Sequence, residues 1–504
     1  MDKKLERNLM QRVNVGDMLT RTAWRKPDAE AVVDGERRLT YAELNALTNR
    51  LANKLRARGI GRDDPVLLVA GNCVDFIQAY YACAKIGAVC VPINLLWGPG
   101  EVAYVVDHCK PKLGLVEPMF EPLVPDSLET LVAPFEIGDD ASEPECYVED
   151  RDAVGYMYTS GTTSAPKGVV QSHLAVYLNA VSVSFAWNAH DDWRYALFMP
   201  LFHTAALGLA TTALYRGGTL VLMRGFDSDA LLDTIERERI SYFLALPMMI
   251  RSVLETPGFE RRDLSSLELV SYAMAPMPDE DLRRAIDAFG CDFALGFGQT
   301  EMAPLTTVFS PDDQLRFPGS VGRQIPNVQT AIMDFDGNLL PPGQTGEIVY
   351  RSPQTMNEYL HDEPATDEAF GGGWFHSGDV GHFDEQGVLW FEDRLKDVIK
   401  TGGENVASIE VERALYDAEP RILECVVVGL PHPKWGEAIT AIVTPRPGER
   451  LTEDDVIEAA RTRLAPFKVP KSVVFTDELP RTSTGKVQKN VLREQYARTR
   501  VRTT

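Results

Sequence analysis

Four short stretches of this 504-residue chain gather residue types that could handle a polyphosphate. The first is Tyr158-Thr159-Ser160-Gly161-Thr162-Thr163-Ser164-Ala165-Pro166-Lys167-Gly168, where five small hydroxyls and one lysine stand beside glycines. Low side-chain bulk lets a backbone approach a ligand closely. Glycine- and hydroxyl-rich loops between strands form concave nests of N–H groups that bind anions, although an isolated stretch of this composition also reads as a polar turn. It is not the common nucleotide loop: Walker A requires Gly-Lys-Ser/Thr opening a helix, and here Lys167 is followed by Gly168-Val169-Val170. The second stretch is Gly296-Phe297-Gly298-Gln299-Thr300-Glu301, an aromatic between glycines with a carboxylate close by. No third glycine or helix opening follows in register, which excludes a dinucleotide fingerprint. The third joins Trp374-Phe375-His376-Ser377-Gly378-Asp379 to the charged run Asp393-Arg394-Leu395-Lys396-Asp397 and on to Gly402-Gly403-Glu404-Asn405. The fourth is Pro480-Arg481-Thr482-Ser483-Thr484-Gly485-Lys486.

The elements that must position these residues read as α/β. Thr40-Tyr41-Ala42-Glu43 is a capping box, with Leu44, Leu47, Leu51 and Leu55 following at helical spacing. Pro65–Ala70 is an apolar strand, Val74–Ile86 a helix and Ala88–Val91 a strand, the alternation of a parallel sheet covered on both faces. Residues 111–150 read as surface connections. Val154–Tyr158 and Val169-Val170 are strands on either side of the hydroxyl-rich loop, and His173–Phe185 is helical. Leu197-Phe198-Met199-Pro200-Leu201-Phe202-His203 sets an aromatic and an imidazole at a strand end, where open α/β sheets bind ligands. From about Val328 short strands and turns predict a small antiparallel unit. Beyond the charged run, helices at Ile409–Tyr416 and Asp454–Leu464 mix with strands at Cys425–Gly429, Ala438–Pro445 and Ser472–Phe475, a small α+β domain.

Length beyond what one core serves predicts more than one domain. With 51 basic and 73 acidic residues the net charge is −22, which argues against general nucleic-acid affinity. Seven cysteines at wide spacing without a Cys-x-x-Cys pair suggest neither a disulfide framework nor a zinc knuckle. The N-terminal residues lack the apolar core of a signal peptide, and no apolar run reaches transmembrane length, so a cytoplasmic protein is expected.

Together and in this order, from Thr40-Tyr41-Ala42-Glu43-Leu44 to Lys486, the stretches closely resemble the adenylate-forming superfamily of acyl-CoA synthetases, adenylation domains and firefly luciferase. The resemblance implies a large N-terminal domain (1–393) of mixed, mostly parallel sheets flanked by helices plus a small β unit. It further implies a hinge (394–396) and a small, mobile α+β C-terminal domain (397–504). It implies two half-reactions: a carboxylate attacks the α-phosphate of ATP to give acyl-AMP and pyrophosphate, then coenzyme A thiol attacks the acyl-AMP carbonyl.

Carried onto this chain, the resemblance gives Thr159, Ser160, Gly161, Thr162, Thr163 and Lys167 to the β- and γ-phosphates. Anions brought together need converging positive charge and N–H donors. Glu301 is the implied Mg2+ ligand with the Thr162 hydroxyl, Phe297 stacks on adenine, and Ala275-Pro276 line the same base, with Gly296, Gly298, Gln299, Thr300 and Phe391 in the ATP-binding set. Asp379 accepts from the ribose hydroxyls, Arg394 donates to ribose or phosphate, and Lys486 reaches the α-phosphate and the attacking carboxylate. Rotation at the hinge residue Lys396 withdraws Lys486 and brings Gly402, Gly403 and Glu404 to the pantetheine arm; Lys434-Trp435 is either a contact to the coenzyme A nucleotide or a surface loop.

His203 stands where amino-acid-activating members carry an aspartate, and an imidazole cannot neutralise a buried ammonium as a carboxylate does, so a hydrophobic acid is expected. His203 acts as a gate or carboxylate contact, or is a hydrogen-bonded histidine lining the pocket with Phe202, Leu207, Tyr272, Met274 and Met302. The chain departs from the family pattern at Ser164, in place of a glycine, and at Ala273-Met274, in place of a Gly-Gly pair. The expected function is an acyl-CoA ligase. The alternatives are an acyl-AMP ligase loading a carrier protein and, more remotely, an ADP-forming kinase or ATPase. A homodimer and a lysine acetyltransferase acting on Lys486 are carried as candidate associations, the latter because acetylation removes the lysine charge.

Overall fold

The computed structural model describes residues 2–135, 138–159, 166–273, 277, 279–481 and 487–501. The chain packs as two compact units. The first holds the described parts of residues 2–330 together with Tyr350–Phe375; the second holds Ala331–Val349 and the described residues from His376 onward.

Two sheets carry the first unit. The six-stranded one runs Thr130–Val132, Leu113–Val116, Pro65–Val69, Val89–Pro92, Ala153–Thr159, Lys167–Ser172, parallel except for its last pair. Its central strands are apolar throughout because both faces are covered, on one side by the almost wholly buried helix Val74–Ile86. Leu113–Val116 corrects the expectation of surface connections over 111–150. Its four residues are all buried, but a run that short, next to Pro111 and containing Gly114, leaves no periodicity to read. The last pair is an antiparallel hairpin with Tyr158 opposite Gly168 and Thr159 opposite Lys167, so the hydroxyl-rich stretch is its connection.

The nine-stranded sheet runs Arg323–Gln324, Leu305–Phe309, Asp292–Gly298, Leu269–Tyr272, Tyr242–Ala245, Arg194–Leu197, Thr219–Leu222, Glu30–Asp34, Arg37–Thr40, with a parallel centre and antiparallel edges. Helix Tyr41–Ala57 leaves its edge through the capping box, Thr40 Oγ1 accepting from Glu43 N–H while Glu43 accepts from Thr40 N–H. Strand Asp292–Gly298 continues through the Gly-Phe-Gly stretch to its end. A Cβ on Gly298 would stand 1.9 Å from the Pro304 carbonyl oxygen, so the antiparallel partner can approach only a glycine there.

The second unit holds most of a four-stranded sheet, Gln329–Met333, Gly346–Arg351, Phe375–Phe383, Leu389–Arg394. It also holds a five-stranded sheet built on the long antiparallel pair Ile422–His432 and Gly436–Pro445. Helices Ser408–Ala418 and Glu453–Arg461 pack on this sheet through Val411, Leu415, Val456 and Ala460 against Val427, Ile439, Ala441 and Val443. Each such fully buried aliphatic contributes roughly 1.5–3 kcal/mol, enough for this unit to carry its own core.

Candidate active site

In the first unit the hairpin brings Lys167 to Tyr359, its ammonium lying 4.6 Å from the ring centroid. The Tyr359 hydroxyl donates to Glu301 Oε1 at 2.8 Å, and the Glu301 carbonyl accepts from Met356 N–H at 2.7 Å. From the same hairpin strand as Lys167, the buried Gln171 amide donates to the Thr300 carbonyl at 2.8 Å and to Thr204 Oγ1 at 3.1 Å. Three sequence-distant pieces are thus tied together: the lysine end of the loop, the Gly296–Glu301 stretch, and the helix that begins after His203. Ser160, Gly161, Thr162, Thr163 and Ser164 lie outside the described residues, so Thr159 and Lys167 are the described ends of the loop.

Gly296 and Gly298 share one face of their strand and Phe297 the other, where it is half-buried. Gln299 N–H donates to the Pro304 carbonyl at 2.9 Å, closing the turn Thr300–Met302 that presents Glu301. Among the described residues no group of three or more histidine, cysteine or carboxylate side chains could cage a metal. A magnesium ion bridging phosphates needs only one or two carboxylates, with phosphate and water supplying the rest. Glu301, one oxygen fixed by Tyr359 and the other not engaged in that bond, fits such an ion.

In the second unit Asp379 and Arg394 sit opposite one another on strands Phe375–Phe383 and Leu389–Arg394. Asp379 is 2 % exposed, and Arg394 Nε stands 2.7 Å from its Oδ1. Gly378 adopts φ 68°, a left-handed value that suits glycine, and gives its N–H to Glu347 Oε1 at 2.9 Å; Glu347 Oε2 pairs with His376 Nδ1 at 2.8 Å. Phe391 is half-buried on the neighbouring strand, opposite Gly381. Partial burial holds the Lys396 ammonium below the ordinary lysine value, with Asp397 opposing it.

The same unit joins Gly402 and Gly403 to Lys434 and Trp435. Both glycines adopt left-handed values, φ 61° and 89°, in the tight turn before Glu404. Gly402 N–H donates to the Trp435 carbonyl at 2.7 Å, and a Cβ on Gly402 would lie 3.2 Å from the indole ring. The ammonium groups of Lys434 and Lys471 lie 4.6 and 5.7 Å from the Trp435 ring centroid. Lys471 is the member of this group that sequence reasoning did not pick out.

The Phe202 and His203 rings meet at a tilt of 51° with centroids 4.6 Å apart, just before the helix Thr204–Arg216. Burial pushes the His203 imidazole down to about 4, so it is neutral at pH 7, and its buried Nε2 has no hydrogen-bond partner among the described residues. Leu207, one turn on, is buried. Tyr272 and Met302 are also buried, with the tyrosine hydroxyl donating to Gln314 Oε1 at 2.7 Å and Thr355 Oγ1 lying 3.6 Å from the methionine sulfur. Met274, Ala275 and Pro276 lie outside the described residues, as does Lys486. Sequence reasoning also passed over Tyr359, Gln171 and Glu347. Only the placement of Tyr359 in the polar stretch Asn357-Glu358-Tyr359 offered any signal, and a weak one.

A family model described as AMP-binding enzyme matches residues 19–360, and one described as AMP-binding enzyme C-terminal domain matches residues 410–486. A feruloyl-CoA synthase of an Amycolatopsis species is 37% identical over 497 residues, which cover 97% of this chain and 100% of that protein. A long-chain-fatty-acid–CoA ligase of Mycobacterium tuberculosis is 36% identical, with 96% of this chain and 99% of that protein covered. The crystal structure of ATP-bound MatB from Rhodopseudomonas palustris superposes with TM-score 0.90 at 29% identity, covering 97% of this chain and 99% of that one. The loop ending in Lys167, Glu301 and Tyr359 all fall within the first match, which alone takes in more than half the chain, and the chain belongs to the AMP-binding enzyme family.

Proposed function

We propose that this enzyme joins a hydrophobic carboxylic acid, fatty or aryl, to coenzyme A through an acyl-AMP, releasing AMP and pyrophosphate. It is an AMP-forming acid–thiol ligase by family. The observation that supports the residue roles most is the convergence of Lys167, Tyr359 and Glu301 through a 4.6 Å cation–π contact and a 2.8 Å hydrogen bond.

In the first half-reaction a carboxylate oxygen attacks the α-phosphorus of ATP and the bond to the β,γ-diphosphate breaks. Lys167, Thr159 and the hydroxyls of Ser160, Thr162 and Thr163 hold the departing pyrophosphate. Glu301, with Thr162, would hold a magnesium ion, which would supply positive charge to the phosphates. Phe297, Ala275, Pro276 and Phe391 hold the base, while Asp379 takes the ribose hydroxyls and Arg394 donates beside it. Lys486 brings its ammonium to the α-phosphate and the attacking carboxylate. In the second half-reaction the thiol attacks the acyl carbonyl, AMP leaves, and rotation at Lys396 has exchanged Lys486 for the Gly402-Gly403 turn. The narrow passage over those glycines suits the pantetheine arm, and Lys434 and Trp435 then meet the coenzyme A nucleotide.

The acid is read from His203. A neutral, half-buried imidazole offers no counter-charge to a substrate ammonium, whereas a feruloyl or long-chain acyl group, as in the names of the relatives, needs none. Work in the cytoplasm, where ATP and coenzyme A are at hand, belongs to the same proposal; no helix among the described residues is long and apolar enough to cross a membrane.

The test is a panel of fatty, aryl and alicyclic acids incubated with ATP, Mg2+ and coenzyme A, with nucleotide and thioester products resolved. AMP and acyl-CoA in step support the reading. AMP and pyrophosphate without acyl-CoA point instead to carrier-protein loading, and ADP overturns the adenylation chemistry. Lys486→Ala is expected to abolish acyl-AMP formation while leaving thioester formation from supplied acyl-AMP largely intact; equal loss in both refutes the division of labour.

A further inference from the structure

The segment that carries Arg394 and Lys396 is bracketed by two buried carboxylates, Asp393 and Asp397. Both are answered by basic residues one turn apart on the helix Lys489–Val501. Arg493 donates to Asp397 Oδ1 at 2.7 Å. Lys489 reaches Asp393 through Ser408. Its ammonium donates to Ser408 Oγ and, at 2.8 Å, to Glu412 Oε1. Ser408 in turn gives both its hydroxyl, at 2.6 Å, and its backbone N–H to Asp393 Oδ2. The other oxygen of Asp393 accepts Arg394 N–H at 2.8 Å, and the Arg394 side chain is the one that stands 2.7 Å from Asp379.

Burial works against the Lys489 charge, and the carboxylates of Glu412 and Asp393 outweigh it, so the ammonium stays above the ordinary lysine value. Buried ion pairs are poor sources of net stability, because well-packed apolar residues of like volume do as well. What they fix is register. Here the register runs without a break from the last helix through Asp393 and Arg394 to Asp379, and that helix begins three residues after Lys486.

We propose that Lys489 and Arg493 are positioning residues: they clamp Asp393–Asp397 from both sides, holding Arg394 against Asp379 and tying the start of the last helix to the same segment. The clamp touches no substrate. It acts through Arg394 and through the chain that leads back to Lys486, and so rests on the roles given to those two residues above. Adenylation depends on both, whereas attack of a thiol on acyl-AMP does not need Lys486 in place.

The experiment compares the half-reactions in the full-length enzyme. Arg493→Gln is expected to lower ATP–pyrophosphate exchange about tenfold, the size of one lost hydrogen bond between charged groups, with a clearly smaller loss in thioester formation from supplied acyl-AMP, which still uses the ribose contact of Arg394 but not Lys486. Arg493→Lys should recover exchange to within about threefold, and combining Arg493→Gln with Asp397→Asn should cost no more than the worse single change, as residues acting as one unit do. Unchanged exchange in Arg493→Gln overturns the clamp, as does equal loss in both half-reactions with no recovery in Arg493→Lys. Lys486→Ala is run alongside. If it loses exchange while Arg493→Gln does not, the clamp alone fails; if it keeps exchange, the role of Lys486 fails and takes the clamp with it.

Discussion

Tyr359→Phe isolates the hydrogen bond that, among the described residues, fixes the carboxylate of the expected metal ligand. The hydroxyl donates to Glu301 Oε1 at 2.8 Å, a short bond to a charged acceptor, and the ring that carries it also faces the Lys167 ammonium at 4.6 Å. Phenylalanine keeps the ring and therefore the cation–π contact, so the change removes only the hydroxyl. Hydrogen bonds to charged groups contribute about 1.5–3 kcal/mol, and the partial exposure of Glu301 argues for the lower part of that range. A loss of about 1–2 kcal/mol in the positioning of Glu301 corresponds to about a 5- to 30-fold rise in the Mg2+ concentration needed for half-maximal ATP–pyrophosphate exchange. A second readout is free of turnover: the rise in melting temperature that ATP gives should need correspondingly more Mg2+ in the variant. Affinity for the carboxylic acid should not change, since the acid touches neither group. Wild-type Mg2+ dependence in both measurements would show that the Tyr359 bond does not serve the metal, and the assignment of Glu301 would lose its structural support.

The acid limb of stability offers an independent check. His173 accepts Val15 N–H at Nδ1 (3.1 Å) in full burial, and desolvation pushes it down to about 3, as it pushes His203 to about 4. A pKa depressed on folding means that the unfolded chain binds the proton first, so stability falls as pH drops below about 6.5 and continues to fall toward the folded-state values. His173→Asn, whose amide oxygen can still accept from Val15, should lose about 2 kcal/mol less than wild type in urea unfolding between pH 6.5 and 5.0; parallel losses refute the argument. At the other end of the chain, Gly402→Val places a β-branched residue at φ 61° with its Cβ near the Trp435 ring, so the KM for coenzyme A should rise about tenfold while ATP–pyrophosphate exchange holds. A fall in exchange of the same size would place Gly402 in the wrong half-reaction.

What could be read from the sequence was what is local. The Thr40–Glu43 capping box is an (i, i+3) signal, and the strands either side of the hydroxyl-rich loop announce themselves by alternation and by the glycine and proline between them. Leu113–Val116 could not be read, because four apolar residues satisfy helix and strand alike. Nor could Tyr359: its bond to Glu301 spans 58 positions, and no spacing rule reaches so far. The motifs gave the residues proposed to face the ligand, while Tyr359, Gln171, Glu347 and Ser408, which hold the described ones, came only from the fold. A residue that faces the ligand is chosen by chemistry and leaves its type in the sequence. A residue that supports it is chosen by geometry, and several types would serve.

The distribution of cations explains how a chain of net charge −22 can be built to hold a polyanion. Many basic side chains of this protein meet carboxylates; Arg262 alone meets Asp229, Asp233 and Glu236. At the expected phosphate and coenzyme A positions the arrangement differs. Lys167 lies over Tyr359 and Lys434 over Trp435, and among the described residues no ion pair takes either ammonium. An aromatic face holds an exposed cation by about 0.5–1 kcal/mol without neutralising it. A carboxylate in the same place would have to be displaced before phosphate could bind, and would repel the phosphate until it was. Resting these lysines on rings keeps them oriented and leaves their charge available, so the field at the proposed ligand positions can stay local and positive within an acidic total. Arg394 is the exception that fits the same logic. Its partner Asp379 is itself proposed for the ligand, and the pair would meet the neutral hydroxyls of a ribose, where no free positive charge is called for.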